Sequence, residues 1–261
     1  MLKKLLTTTI ILTTSVSFAF DFNTLTKKIT DNIPTSQENS LSQETIAKGL
    51  KEALANGITF ATKELGTQNG YINNDLVKIP LPENLAKIET VIRKSGGDKI
   101  ADDLIESMNT AATQAAPETT TILLEAVSNL TLNDTQKILS GDDDAATTYF
   151  KENTSSSLKK LIIPIIQKSM EKNKVSHYYQ KTNQFYTSNL SSYVENSSTM
   201  NFAKNIGVDS YIPTKSDQNL DEYVTDKAID GLFKMIAEKE AAIRKNPLEQ
   251  TSSILKQVFG K

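Results

Sequence analysis

Two sets of polar residues have the types and spacing to do chemistry. Asp102, Glu106, Asn109 and Thr113 recur at steps of four, three and four. That spacing puts them along one side of a helix. Tyr223, Asp226, Lys227, Asp230 and Lys234 share one arc of the stretch DEYVTDKAIDGLFKMIAEKE, residues 221–240. Carboxylates facing each other from two helices can hold a cation or share acid and base roles. The candidate polar cluster is therefore Asp102, Glu106, Asn109, Tyr223, Asp226 and Asp230. The plainer reading of both stripes is a solvated helix face.

The rest of the composition narrows that chemistry. The chain has no cysteine, no tryptophan and one histidine, His177. Thiol catalysis and thiolate metal sites are excluded. Di-iron bundles usually add histidines from Glu-x-x-His steps, which a single imidazole cannot supply. An all-oxygen calcium or magnesium site stays open. GDDDAAT (141–147) lacks the alternating spacing and the terminal glutamate of a calcium loop, and reads as acids in a helix's first turn. SGGDK (95–99) follows no strand and lacks phosphate-loop spacing, so it reads as a helix stop followed by an Asp98 N-cap. A Ser-His-Asp triad would need His177, which sits among SHYYQ with no G-x-S-x-G in the chain. No cofactor and no dedicated metal centre are expected.

The N-terminus, MLKKLLTTTIILTTSVSFAF, has Lys3 and Lys4, a short apolar middle, and Ser17 and Ala19 where signal peptidase reads small residues. It reads as a signal peptide, residues 1–19, cut after Ala19. The apolar run is too short and threonine-broken for a membrane anchor. No later segment is long enough to span; LIIPII (161–166) carries a proline. The expected location is periplasmic or secreted, without a transmembrane segment in the mature form. The full chain has 29 basic and 31 acidic residues, and loss of Lys3 and Lys4 moves the net charge from −2 to −4. That balance offers no reason to expect nucleic acid.

Residues 20–41 read as a polar linker or loosely docked segment. Residues 42–261 read as a single helical domain. Ile46, Leu50, Ala53, Gly57, Ala61 and Leu65 form one face of a first helix, capped by Ser42 and stopped by Gly66. Pro80 and Pro82 forbid a helix across NNDLVKIPLP, which reads as an extended crossing segment. Helices follow over 83–94, from Asp98 to about 116, from Pro117, near 133–139, and from the aspartates at 142–144 to about 172, with Pro164 bending or restarting the last. Residues from about 187 to 218 read as irregular and polar. Strong helices return at 220–245 and from Pro247. Val224, Ala228, Leu232, Met235, Ile236 and Ile243 mark a buried face, and Gly231 lies at its edge. Asp230–Lys234 and Glu240–Arg244 are i,i+4 pairs, worth about 0.2–0.5 kcal/mol each on an exposed helix. The fold class is all-α, a multi-helix bundle-like domain with a proline-containing crossing.

Four stretches, NNDLVKIPLP (73–82), DDLIESMNTAATQAAP (102–117), LSGDDDAATTYF (139–150) and LDEYVTDKAIDGLFKMIAEKEAAIRKNP (220–247), with ILKQVFG (254–260) closing, resemble the domain-of-unknown-function family 4197. The resemblance spans roughly residues 41–260 and departs at about 187–218, where this chain is longer and more polar. It implies an exported, mostly helical bacterial protein, and it carries no reaction. Three functions follow as expectations. The first is a non-enzymatic role in binding a periplasmic or envelope protein, or in envelope assembly. The second is a carboxylate-based hydrolase or metal-dependent enzyme using Asp102, Glu106, Asp226 and Asp230. The third is a carrier of a lipid or other apolar ligand.

Overall fold

Ser42 opens the first helix by accepting the Thr45 backbone N–H at 3.1 Å, with Glu44 in the first turn. In the computed structural model this helix, α1 (Gln43–Leu65), ends at Gly66, whose N–H bonds back to Thr62. The structure describes residues 41–133, 135–194 and 217–260. The expected signal, residues 1–19, and nearly all of the 20–41 linker lie outside them. These described residues belong to one compact unit.

The elements after α1 are α2 (Glu83–Lys94), α3 (Asp98–Ala115), a 3-10 turn (Ala116–Thr119), α4 (Thr120–Asn129) and α5 (Thr135–Leu139). Then come α6 (Ala145–Lys172), α7 (Val175–Val194), α8 (Asp217–Lys245), a 3-10 turn (Pro247–Glu249) and α9 (Ser253–Phe259). The fold is all-α, and no strand occurs among the described residues. Among those residues, no helix is long and apolar enough to cross a membrane.

Several boundaries differ from expectation. Gly97, not Asp98, occupies the N-cap of α3, and Asp98 is the first helical residue. Pro117 is the second residue of one 3-10 turn and Pro247 the first of another, each ahead of a helix, because a ring nitrogen costs little in a first turn. Pro164 lies inside α6, which is one element from Ala145 to Lys172. α7 runs on to Val194, into the stretch expected to be irregular. The remainder of that stretch, 195–216, lies outside the described residues.

The apolar stripes meet in one core. Every α1 position from Ile46 to Leu65 in the expected stripe is buried, as are the six stripe residues of α8. α8 packs chiefly on α1 and α6, and α3 packs on α6 and α7. α1 and α8 come together at Gly57, where an added Cβ would lie 2.9 Å from Ile236 Cγ2 and 3.2 Å from its carbonyl oxygen. Phe150 of α6 meets Phe233 of α8 edge-to-face, centroids 5.6 Å apart. Each fully buried large aliphatic or aromatic side chain contributes about 1.5–3 kcal/mol, so this interior is the main source of stability in a chain without disulfides.

Candidate functional site

The crossing segment shows how the helices handle their polar residues. Residues 71–82 run between α3 and α8 without a helix of their own, so their backbone groups need partners. Asn109, fully buried on α3, accepts the Ile79 N–H at 2.8 Å and donates to the Ile79 carbonyl at 2.8 Å. It thereby substitutes for a neighbouring strand. One turn along, Thr113 Oγ1 accepts the Tyr71 N–H at 3.3 Å. From α8, the Tyr223 hydroxyl donates to the carbonyls of Pro80 (3.0 Å) and Leu81 (3.2 Å). Lys234 Nζ donates to the Leu76 carbonyl at 2.9 Å. Tyr71 is buried, and its hydroxyl donates to the Ala228 carbonyl at 2.7 Å. Gly231 makes room for the Tyr71 ring: an added Cβ there would sit 2.8 Å from Tyr71 Cε1.

The carboxylates of the candidate cluster go to separate partners. Asp102 pairs with Arg93 of α2 at 2.8 Å, and with Glu89 it pushes the guanidinium pKa further up. Asp226 pairs with Lys159 of α6 at 2.8 Å, and that bond raises the lysine's pKa. Asp230 pairs with Lys151 of α6 at 2.8 Å. The expected Asp230–Lys234 pair is replaced, since Asp230 reaches across to α6 and Lys234 reaches the crossing segment. Of the six candidate residues, Asn109 and Tyr223 are brought together, on either flank of residues 79–81. Among the described residues, no group of three or more histidine, aspartate or glutamate side chains could hold a metal.

Glu240–Arg244 does form, in a different setting from the surface pair expected. Glu240 is fully buried, and Arg244 Nε donates to its Oε1 at 2.8 Å. The carboxylate also accepts the backbone N–H groups of Ala146 (3.0 Å) and Thr147 (2.7 Å), and the Thr147 hydroxyl (2.6 Å). Those groups open α6, whose unpaired N–H groups and dipole favour a negative charge. Arg244 donates to the carbonyls of Leu139 (2.8 Å) and Ile138 (3.1 Å), which close α5, and lies 5.3 Å from the Phe259 ring centroid. The ion pair therefore sits between the end of one helix and the start of the next. Asp142–Asp144, expected in the first turn of α6, precede it; the helix starts at Ala145, and the Asp144 side chain makes no capping bond. Glu240 does the work assigned to them.

A site with room for a ligand lies elsewhere. A cleft of about 670 Å³ opens between α3 and α6. α3 lines it with Glu106, Thr110, Thr113 and Gln114, and α6 with Lys168, Ser169 and Lys172. The loop after α1 (Gly66, Gln68, Asn69) and Pro117-Glu118 complete it. The Gln114 side-chain amide is paired with that of Asn173, 3.1 Å apart in the shorter bond. Glu106, Glu118, Lys168 and Lys172 have no ion-pair or hydrogen-bond partner among the described residues. The stripe read from the sequence thus divides: Asp102 is ion-paired, Asn109 is structural, and Glu106 and Thr113 face the cleft. Lys168, Lys172 and Glu118 were missed. Their one local signal is the i,i+4 spacing of two lysines late in a helix, where cations are common for dipole reasons alone.

Neither curated proteins nor solved structures gave a match to this chain. The family profile described as "Protein of unknown function (DUF4197)" matches residues 40–260. That span takes in α1 through α9, the crossing segment and every residue of the cleft, and the chain belongs to this family.

Proposed function

We propose that the protein is exported to the periplasm or beyond, loses residues 1–19, and acts there as a non-enzymatic binding protein of the bacterial envelope. Export is supported by the basic start, apolar middle and small residues at 17 and 19. The observation that carries the binding reading is the α3/α6 cleft. Its volume falls in the range of ligand sites, and among the described residues its four charged side chains make no ion pair or hydrogen bond. By contrast, Asp102, Asp226 and Asp230, three of the four carboxylates a hydrolase would use, are each neutralised by a different cation. A general acid or base needs a free proton site aimed at substrate, and these three are occupied with holding helices together.

The test is site-specific photocrosslinking in the envelope fraction. A photoreactive residue at Gln68, on the cleft rim, is expected to give a discrete adduct. The same residue at Gln257, outside the cleft, is expected to give none. Charge reversal at Lys168 and Lys172 is expected to abolish the Gln68 adduct. Identical adducts from both positions, or none from Gln68, would refute the reading.

A further inference from the structure

We propose that the α3/α6 cleft binds a single phosphate group, with Lys168, Ser169 and Lys172 on one wall and Thr113 on the other. This deepens the binding reading above and rests on it. The observation that carries it is a pair of nearly buried hydroxyls with protons left to give. Ser169 is 6% exposed and Thr113 7%, and both line the cleft. The Ser169 carbonyl takes the Asn173 side chain at 2.7 Å, while its hydroxyl makes no hydrogen bond among the described residues. That hydroxyl is not sealed in, because the buried side-chain atom without a partner is Thr135 Oγ1. It therefore opens onto the cleft. Thr113 Oγ1 accepts the Tyr71 N–H at 3.3 Å, and among the described residues its own proton is not donated.

Lys168, Ser169 and Lys172 fall within one turn of α6 and an arc of about 100°, so both ammonium groups can reach a ligand held at the hydroxyl. Thr110, one turn before Thr113 and Gln114, adds another hydroxyl without a described partner. Such a set gives donors and positive charge, and it matches a ligand rich in acceptors. A carboxylate has one charge and two oxygens in a plane. A phosphate monoester balances two lysines, and its tetrahedral oxygens serve both walls. The acids of the cleft limit the ligand's size. Glu106 and Glu118 stand at the extremes of the wall made by α3 and the turn after it, about 18 Å apart on a helical rise. Glu106 is also near enough to Lys99 to raise that lysine's pKa, so its charge is partly met outside the cleft. An extended polyanion would run into one acid or the other, whereas one phosphate between them does not.

Inorganic phosphate is the probe, followed by the backbone amide resonances of Thr110, Thr113, Ser169 and Lys172 on full-length mature protein. The expected result is saturable shifts at these positions that chloride and acetate at equal ionic strength do not produce. Ser169→Ala should weaken binding by about tenfold, the loss of one hydrogen bond to a charged group. Lys168→Gln/Lys172→Gln should abolish it. The Ser169 hydroxyl holds nothing in the fold and both lysines are exposed, so the variants should keep the wild-type amide spectrum away from the cleft. Pyrophosphate should bind more weakly than phosphate. Glycerol phosphate and phosphatidic acid vesicles separate the sources. Tighter binding of the soluble ester assigns a free phosphate monoester, and retention on the vesicles without that gain assigns a lipid headgroup. The proposal is overturned if acetate or chloride shifts the same amides as far, or if Ser169→Ala binds phosphate like wild type. If phosphate shifts nothing while the Gln68 adduct persists, the ligand class is wrong and the binding reading stands. If both fail, both fall.

Discussion

Glu240 and Thr147 lie 93 residues apart and are joined by two bonds to one carboxylate oxygen, 2.7 Å from the backbone N–H and 2.6 Å from the hydroxyl. The other oxygen takes Ala146 and Arg244, so one buried side chain of α8 caps α6 and balances a guanidinium. Removing one member of such a pair leaves an unpaired buried charge, which typically costs about 3–5 kcal/mol. Glu240→Gln and Arg244→Met are each expected to lower the urea unfolding free energy by that order. The double variant should cost clearly less than the two losses added together. Additive losses would mean that the pair is not coupled.

Asn109→Leu keeps the side-chain volume and strips both bonds from Ile79. Each backbone group left unsatisfied in the interior costs about 1–3 kcal/mol, so a loss of about 2–5 kcal/mol is expected. Hydrogen exchange is the sharper readout. The Ile79 amide should exchange much faster in the variant, while amides in the middle of α1 should change only with global stability.

Gly231→Ala pits helix propensity against space. Alanine gains about 1 kcal/mol over glycine in a helix interior. The new methyl would sit 2.8 Å from Tyr71 Cε1 and 3.2 Å from Val77 Cβ, and overpacking costs about 1–3 kcal/mol. Tyr71 is held by its hydroxyl bond to Ala228, so its ring cannot swing away cheaply. A net loss of stability is expected. Pairing the change with Tyr71→Ala should remove the steric part, so that glycine-to-alanine becomes neutral or stabilising in that background.

Alkaline pH should act through two phenols. Burial, with Glu83 assisting, pushes the Tyr223 pKa up to about 12, and burial alone pushes Tyr71 higher still. Both groups ionise near pH 10 in the unfolded chain. Above about pH 10 the unfolded state therefore sheds protons that the folded state keeps. Stability should fall as pH rises towards 12, and these groups add no slope below about pH 10. Urea midpoints across this range are expected to decline less steeply in Tyr223→Phe than in wild type.

Asp226→Asn and Asp230→Asn remove partly exposed ion pairs to Lys159 and Lys151. Such pairs are worth about 0–1 kcal/mol, so each variant should stay within that margin in a denaturation series. A larger loss would show a burial or strain that the geometry lacks.

The helices and their inward faces were legible because a 3.6-residue apolar repeat belongs to a single segment. The stripe from Ile46 to Leu65 and the stripe from Val224 to Ile243 needed no knowledge of their partners. Polar residues carried no such local mark. Glu240–Arg244 has the same spacing as a surface pair, and only the arrival of the α5–α6 junction buries it. Asn109 sits in a stripe with Asp102 and Glu106, yet one is sealed against Ile79, one is bound to Arg93, and one faces the cleft. Lys168 and Lys172 read as ordinary helix-end cations until α3 and the loop after α1 place them along a cleft.

Composition and periodicity by themselves determined a cysteine-free, all-helical chain with two prolines enforcing an extended crossing. Only the tertiary structure decided which acids and amides hold helices together and which remain available in a cleft. The reason is range. Apolar burial is specified by neighbours three and four residues away, whereas the partner of a polar side chain is set by which distant segment packs beside it.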